Sequence, residues 1–236
     1  MIELDFIVSS ELSCALDTGN YVSVGRYPFV LHLAVPRDLD KVVGLIREAA
    51  NWLGSKGIDQ WQEPWPDRAR QRERILSDLL KGKTWLVRDG KATAATVTID
   101  ADEPLDAEER PVWPTEGNQR PVLYVRRVIV SRRYARLGLG AALLDWAADV
   151  AERDHGAELI RIDVRTTNEK LHAYYEGQRF TRCPDPQGLG DYPSQALFER
   201  AVDIPGSDFT KLFITEAGHD ARKLPRQAAV SPKICQ

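Results

Sequence analysis

The chain has 236 residues, of which 43% are apolar and 28% are charged, a composition that suits one globular domain and excludes disorder of the whole chain. The formal net charge is only −3, yet residues 126–136 contain five arginines and no acid. The positive charge is therefore local, which favours a small anionic ligand over a long polyanion and argues against a nucleic-acid partner.

The spacing of apolar residues predicts an alternation of strands and helices. In chain order we predict a strand at 29–35, helices at 36–53 and 67–81, a hairpin at 84–100, an exposed loop at 101–120, a strand at 121–130, a helix at 139–155, a strand at 157–164, a helix at 168–177 and a strand at 195–200. Pro36 opens the first helix and Gly54 lies just past its end. The pair Asp89-Gly90 tolerates the positive φ angles of a type I′ hairpin turn.

This order of elements predicts one α/β domain built on a mixed α+β sheet, spanning residues 29–202. Residues 1–28 are predicted as an N-terminal extension, either an extra strand or a loose arm. Residues 203–236 form a C-terminal tail with several prolines and little periodicity.

The cysteines favour a reducing compartment. Cys14, Cys183 and Cys235 are odd in number and widely spaced, with no C-x-x-C pair to hold zinc or run dithiol chemistry. The sequence MIELDFIVSS lacks a basic region followed by an apolar run, and no run of 18 apolar residues occurs. We therefore expect a cytoplasmic protein with no metal and no membrane partner. The excess of arginine over lysine fits a GC-rich bacterial coding bias.

The glycines of RRYARLGLGAALLDWAADV raise the question of which phosphate this turn holds. A P-loop is excluded because no Lys-Ser or Lys-Thr pair stands in the required position. A dinucleotide fingerprint is disfavoured because Leu143 occupies its third glycine position and seven residues separate the strand from Gly138; Asp163 is its one matching acid. Unpaired N–H groups at the start of the following helix suit a pyrophosphate, although an ordinary helix entry with solvated arginines stays open.

The third phosphate-binding pattern is that of the GNAT acetyltransferase superfamily, which the chain resembles. Its pattern [QR]-x-x-G-x-[GA] follows a strand ending in valine, and VIVSRRYARLGLGA supplies that valine and both glycines. Downstream, RIDVRTTNEKLHAYYEGQRF places Asn168, Tyr175 and Phe180 in the family's register. Two positions depart from the pattern: Ala135 occupies the [QR] slot, and Arg179 replaces the glycine of the family's Gly-Phe pair.

The resemblance implies acetyl-CoA as the acyl donor and assigns residues to it. Amides of the strand that ends at Val130 would hold the pantetheine arm and the acetyl carbonyl. Tyr175 would be the general acid that protonates the departing thiolate, its alternative being a core aromatic residue. The predicted cofactor-binding residues are Val128, Ile129, Val130, Arg133, Arg136, Leu137, Gly138, Leu139, Gly140, Ala141, Asn168 and Tyr175.

The general base has no motif in this family. We take Glu63 and Asp163 as candidates beside Tyr175, with Asp59 and Asp100 as further possibilities, and each has the alternative of an ordinary surface carboxylate. His172 is expected on a helix surface. Three tryptophans of the predicted acceptor side form either an aromatic wall for an apolar or cationic amine or part of the core; they are Trp52, Trp61 and Trp65.

The function that follows is transfer of acetyl from acetyl-CoA to a primary amine of a small molecule, by direct attack in a ternary complex. No cysteine lies in the motif region; Cys183 is the nearest. Two alternatives keep the fold: a transferase with another acyl donor or with a tRNA or peptide acceptor, and a non-catalytic acyl-CoA-binding regulator. A homodimer is compatible with the terminal segments.

Overall fold

Eight strands form one sheet in the computed structural model, which describes residues 20–24, 27–102, 113, 120–184 and 193–203. The strands are β1 (Asn20–Val24), β2 (Tyr27–Leu33), β3 (Thr84–Asp89), β4 (Ala92–Asp100), β5 (Val122–Val130), β6 (Leu159–Val164), β7 (Thr181–Arg182) and β8 (Ala196–Ala201). Their order across the sheet is β1-β2-β3-β4-β5-β6-β8-β7. Neighbouring strands are antiparallel except for β5 and β6, which run parallel. The predicted mixed α/β sheet is confirmed.

Four helices lie among these strands: α1 (Leu39–Gly54), α2 (Arg68–Leu80), α3 (Leu139–His155) and α4 (Glu169–Gly177). The side chain of Asp67 caps α2 by accepting a hydrogen bond from the Arg70 N–H at 2.9 Å. Gly156, at φ 58°, ends α3 in the left-handed conformation. Helix α3 is the crossover that a parallel strand pair requires.

The helices cover both faces of the sheet. The core on one face contains most of α3 together with Val87 of β3, whereas α1 and α2 bury Leu86 and Ile129 on the other face. Successive residues of a strand point to opposite faces, so the neighbours Leu86 and Val87 pack in different cores. None of the helices in the described ranges is long and apolar enough to cross a membrane.

Strand β8 ties the later helices together through a buried arginine. The Arg200 guanidinium donates to the carbonyl oxygens of Leu144 in α3 and Gln178 after α4, each at 3.1 Å. It also pairs with Asp145 at 2.9 Å, and its side chain is 0% exposed. One side chain of β8 therefore joins the middle of α3 to the end of α4.

Several local predictions need correction. Pro36 opens a 3-10 turn that precedes α1, and Gly54 is the last residue of the helix rather than the residue after it. In the β3–β4 hairpin Asp89 pairs with Ala92, so Gly90 and Lys91 are the central residues of the turn; Gly90 has a positive φ of 56° and Lys91 does not, so the turn is not type I′. Trp113, within the predicted exposed loop, is 3% exposed and lies 6.0 Å from the Tyr124 ring.

The two ends of the chain are described only in part. Strand β1 falls within the predicted N-terminal extension and pairs with β2. Residues 1–19, 25–26 and 204–236, and with them Cys14 and Cys235, lie outside the described residues. The predicted domain boundaries therefore stay predictions.

Candidate functional site

Strand β5 carries a bulge at its centre. Thr96 of β4 pairs with Ile129, but Thr98 pairs with Arg126, so three steps on β5 oppose two steps on β4. Arg127, inside the extra step, has a positive φ of 50°, which is uncommon for any residue other than glycine. The bulge re-aims the strand and leaves a residue out of the ladder, as bulges beside active sites do.

Beyond this point β5 and β6 separate. Their parallel pairing covers only Val122–Tyr124 against Leu159–Arg161. The remainder of the two strands lines a cavity of about 420 Å³, a volume in the range of small-molecule sites. We call this side the strand wall; its residues are Arg126, Arg127, Val128, Ile129, Val130, Ile162, Asp163 and Val164. Alternate N–H groups of β5 point away from β4, toward the gap.

Two buried carboxylates hold the bulge. Arg127 forms an ion pair with Asp78 of α2, and Arg126 donates to Asp100 at 2.6 Å and lies 3.5 Å from Asp78. Both carboxylates are less than a tenth exposed. The predicted concentration of positive charge is therefore wrong for these two arginines, because acids distant in the sequence neutralise them.

The glycine turn begins where the strand wall ends. Arg136 and Gly138 have positive φ angles of 66° and 82°, and Gly138 is the N-cap of α3, whose first turn contains no acid. A Cβ added at Gly140 would lie 2.9 Å from the Tyr174 hydroxyl and 3.8 Å from a Val130 methyl, so a side chain there would force a shift. Glycine thus allows close backbone approach beside unpaired N–H groups that favour an anion.

The predicted cofactor residues divide into two groups. Asn168, Tyr175 and residues 128–130 line the cavity. The other seven do not line it and belong to the turn and the start of α3; they are Arg133, Arg136, Leu137, Gly138, Leu139, Gly140 and Ala141.

Asn168 has a structural task that the motif does not reveal. Its side-chain oxygen caps α4 by accepting from the Leu171 N–H at 3.2 Å. Its amide nitrogen donates to the Gln60 side chain at 2.6 Å. One residue earlier than Gln60, Asp59 accepts from Thr167 at 2.7 Å and pairs with Arg165. The loop between α1 and α2 is thereby fastened to the start of α4.

Tyr175 combines the two roles considered for it. Its ring packs in the core 5.5 Å from Phe180 and 6.1 Å from Phe198, and the residue is 5% exposed, yet it also lines the cavity. Burial, then the neighbouring Tyr174 and the charge of Asp163, raise the pKa of Tyr175 above its usual value. The phenol is therefore protonated at neutral pH and able to donate a proton.

The candidate bases fall into different places. Glu63 and Asp163 line the cavity, on opposite sides of it. Asp100 is bound by Arg126 and by Lys83, and Asp59 is held by the contacts described above. Neither Asp100 nor Asp59 lines the cavity.

His172 does not lie on a helix surface as predicted. It is 7% exposed, its ring lies 5.5 Å from Phe198, and its Nε2 lies 2.9 Å from the carbonyl oxygen of Arg165. The apolar face of α4 is short, so the sequence pattern alone did not show on which side His172 falls. Its ring serves the packing beneath the site.

The helical wall of the cavity consists of lining residues from α1, α2 and the loop 55–67 between them: Ile46, Ala49, Trp52, Leu53, Ile58, Gln60, Trp61, Glu63, Trp65, Gln71, Arg74 and Ile75. All three predicted tryptophans are in it. The Arg132 guanidinium lies 3.8 Å from the centre of the Trp52 ring, and Arg74 lies 5.4 Å from that of Trp65. Gln60 and Asp78 were not predicted as part of the site's framework, since no local motif marks a long-range partner.

Comparison with known proteins agrees with this geometry. The model of the acetyltransferase (GNAT) family matches residues 46–180. An uncharacterized N-acetyltransferase of Bacillus subtilis, YesJ, is 29% identical over 143 residues, which cover 60% of this chain and 76% of that protein. A GNAT-family acetyltransferase from Listeria monocytogenes has a similar structure, with a TM-score of 0.59 and 21% identity over 77% of this chain and 99% of that one. The PaiA N-acetyltransferase of Thermoplasma acidophilum, solved with coenzyme A, gives a TM-score of 0.54 and 14% identity over 73% of this chain and 98% of that one.

Proposed function

Because the chain belongs to the GNAT acetyltransferase family, we propose that it transfers an acetyl group from acetyl-CoA to the primary amine of a small molecule, by direct attack in a ternary complex. The observation that carries this proposal is the gap between β5 and β6, into which Tyr175 and Asp163 both face as lining residues. A gap with unpaired strand N–H groups on one side and an acid on the other suits acyl transfer.

The residues present fit the acyl donor. The left-handed Gly138 at the N-terminus of α3 suits a pyrophosphate, with Arg133 and Arg136 nearby in the turn. Residues 128–130 would hold the pantetheine arm along the strand wall. That the Thermoplasma neighbour was solved with coenzyme A supports coenzyme A as the carrier of the acyl group. The bound donor supplies a thioester carbonyl and a thiolate leaving group.

The chain's own residues would then manage two protons. A carboxylate, Asp163 or Glu63, takes a proton from the amine, directly or through water, as nitrogen bonds to the carbonyl carbon. The carbon–sulfur bond breaks, and the Tyr175 hydroxyl gives its proton to the departing sulfur. Asp163 is the better placed base because its charge acts on Tyr175 across the same gap.

A covalent acyl-enzyme is not part of the proposal. Cys183 does not line the cavity, and burial raises the pKa of its thiol to about 11, so little thiolate exists at neutral pH. We propose a cytoplasmic enzyme with no nucleic-acid partner, and a homodimer stays a prediction.

The test is calorimetric titration of the full chain with acetyl-CoA. Gly138→Glu places a carboxylate and a strained side chain in the turn, and we expect it to weaken binding at least about 100-fold. Gly156→Glu is the matched control, since it introduces the same side chain at a positive φ of 58° at the other end of α3. Affinity that survives Gly138→Glu would contradict the phosphate turn. If the wild type binds acetyl-CoA but releases no CoA in the presence of any amine tested, the result would favour the non-catalytic regulator.

A further inference from the structure

We propose that the acceptor is a primary amine with a single positive charge and an aromatic or ring-sized apolar body, held against Trp52, Trp61 and Trp65. This inference rests on the proposed acetyl transfer and names the substrate class for the same site. The cavity is continuous from the strand wall to the helical wall, so the amine nitrogen and the body of one acceptor have separate surroundings.

The helical wall is mainly apolar. Eight of its twelve residues are apolar, three of them tryptophans, and its charged members are Glu63 and Arg74. The Arg74 guanidinium is engaged at Trp65, where it stacks on the ring and donates to the carbonyl oxygen. An apolar ligand body placed against this wall gains by removing apolar surface from water.

Trp61 is held toward the cavity at a conformational cost. Its φ is 62°, a left-handed conformation that is an outlier for a bulky residue. The adjacent Asp59 and Gln60 keep the loop in this position through their bonds to Thr167 and Asn168. Strained residues persist where the surrounding contacts determine them, and they cluster at ligand-binding sites. The loop is thus organised to present an indole ring.

An arginine side chain of the protein already stacks on two of the three indole rings. Arg132 stacks on Trp52 and Arg74 on Trp65, so an ammonium at the far end of the acceptor would meet two guanidinium groups. Their positive charge disfavours a diamine in this part of the cavity. A neutral ring is the complementary body, because it packs against the indoles without bringing a second charge.

The reacting end of the acceptor meets the opposite charge. Asp163 on the strand wall and Glu63 at the helical wall are the two acidic residues among those that line the cavity. Asp163 attracts the ammonium of the acceptor toward the β5–β6 gap before its deprotonation, whereas Glu63 lies on the helical wall beside the tryptophans. The amine therefore points to the β5–β6 gap while its body lies on the tryptophans.

The experiment compares four amines at saturating acetyl-CoA: ethylamine, hexylamine, 2-phenylethylamine and putrescine. The readout is kcat/KM from chromatographic detection of CoA and the acetylated amine. We expect 2-phenylethylamine to exceed ethylamine by about 10- to 100-fold, the gain of burying one phenyl group. Putrescine is expected to fall below hexylamine. Equal rates for all four amines, or a preference for putrescine, would overturn the inference.

Variants separate recognition from folding. Trp61→Ala is expected to reduce kcat/KM for 2-phenylethylamine about tenfold or more and for ethylamine less than about twofold, and Trp61→Phe to restore most of the loss. Trp113→Phe, a buried tryptophan that does not line the cavity, is the control. An equal loss for both amines would assign Trp61 to structure and overturn the inference. Hexanoyl-CoA paired with ethylamine tests whether the helical wall binds the acyl chain instead. A rate gain over acetyl-CoA as large as the gain of 2-phenylethylamine over ethylamine would also overturn the inference.

Calorimetry with acetyl-CoA keeps the two failures apart. If the chain does not bind acetyl-CoA, the proposed function fails, and the inference fails with it. If it binds acetyl-CoA but none of the four amines reacts, the substrate class is wrong while cofactor binding stands.

Discussion

The two walls of the cavity are built in different ways. The strand wall owes its shape to the backbone, because a register break in β5 and the separation of β5 from β6 expose N–H groups whatever the side chains are. The helical wall owes its shape to side chains, because Trp52 projects from α1 and Trp61 and Trp65 project from the loop 55–67. Backbone geometry suits a donor common to a family, whereas side chains suit an acceptor particular to one chain.

Asp78 joins the two walls, and its removal should give the largest effect on stability. Asp78→Asn removes the carboxylate that pairs with the partly buried Arg127 and weakens the contact with Arg126. We expect a loss of about 3–5 kcal/mol in the free energy of unfolding, measured by denaturant titration. Asp102→Asn is the control, because Asp102 is an exposed partner of Lys83. A stability equal to that of the control would show that β5 keeps its bulge without α2.

Tyr175→Phe tests the chemical role of the strand wall. Removing the hydroxyl should lower kcat about 100-fold with little change in acetyl-CoA affinity, since the ring and its packing remain. Tyr174→Phe is the comparison, because Tyr174 packs against Gly140 rather than lining the cavity. A larger loss in Tyr174→Phe would assign the acid to that residue.

The pH profile gives an independent check on Tyr175. Because its pKa is raised, the phenol remains protonated past its ordinary value of about 10. The rate of the wild type should therefore rise with pH as the amine loses its proton, and no decline in rate is expected at any pH below about 10. A fall near pH 8 that disappears in Tyr175→Phe would contradict the assignment.

Asp59→Asn should give the smallest effect and should act on the acceptor side. Hydrogen bonds from Arg165 and then Thr167 lower the pKa of Asp59, so its anchoring is present above the ordinary pKa and is lost as pH falls through the lowered one. The side chain is half exposed, so we expect a stability change under about 1 kcal/mol. The acceptor KM should rise about threefold, measured in steady-state assays.

The matched control for Asp59 is another exposed ion pair. Asp40 on α1 pairs with Arg72 on α2 at 2.9 Å. This ion pair joins the two helices and does not involve the loop 55–67. Asp40→Asn should leave the acceptor KM unchanged. A KM shift of the same size in both variants would mean that the loop does not depend on Asp59.

The sequence predicted the elements and the glycine turn because these depend on local signals. Helix α3 has the predicted bounds, and Gly138 has the left-handed φ that a glycine at a helix entry allows. The bulge at Arg127 was not predicted, since it depends on register with β4 and on Asp78, 49 residues earlier in the chain. Periodicity reports which residues share a face, not which distant side chain meets them.

The charge of the arginine segment shows the same limit. Counting residues 126–136 in sequence gave an uncompensated positive cluster, but Asp78 and Asp100 neutralise Arg126 and Arg127, whereas the Trp52 ring under Arg132 supplies no opposite charge. Tyr175 was assigned to the site by the motif, and its position is consistent with that. The carboxylates had no motif, and their separation into cavity-lining and ion-paired groups required the fold.

The position of Arg200 has a consequence for synthesis on the ribosome. Strand β8 inserts between β6 and β7, and Arg200 bonds Leu144 within α3 and Gln178 at the end of the helix that carries Tyr175. A nascent chain therefore has both walls of its cavity translated before the strand that fixes their supporting helices emerges. Release of residues 196–201 from the exit tunnel is the step at which the site becomes rigid, so a chain stalled upstream should remain sensitive to protease at α4.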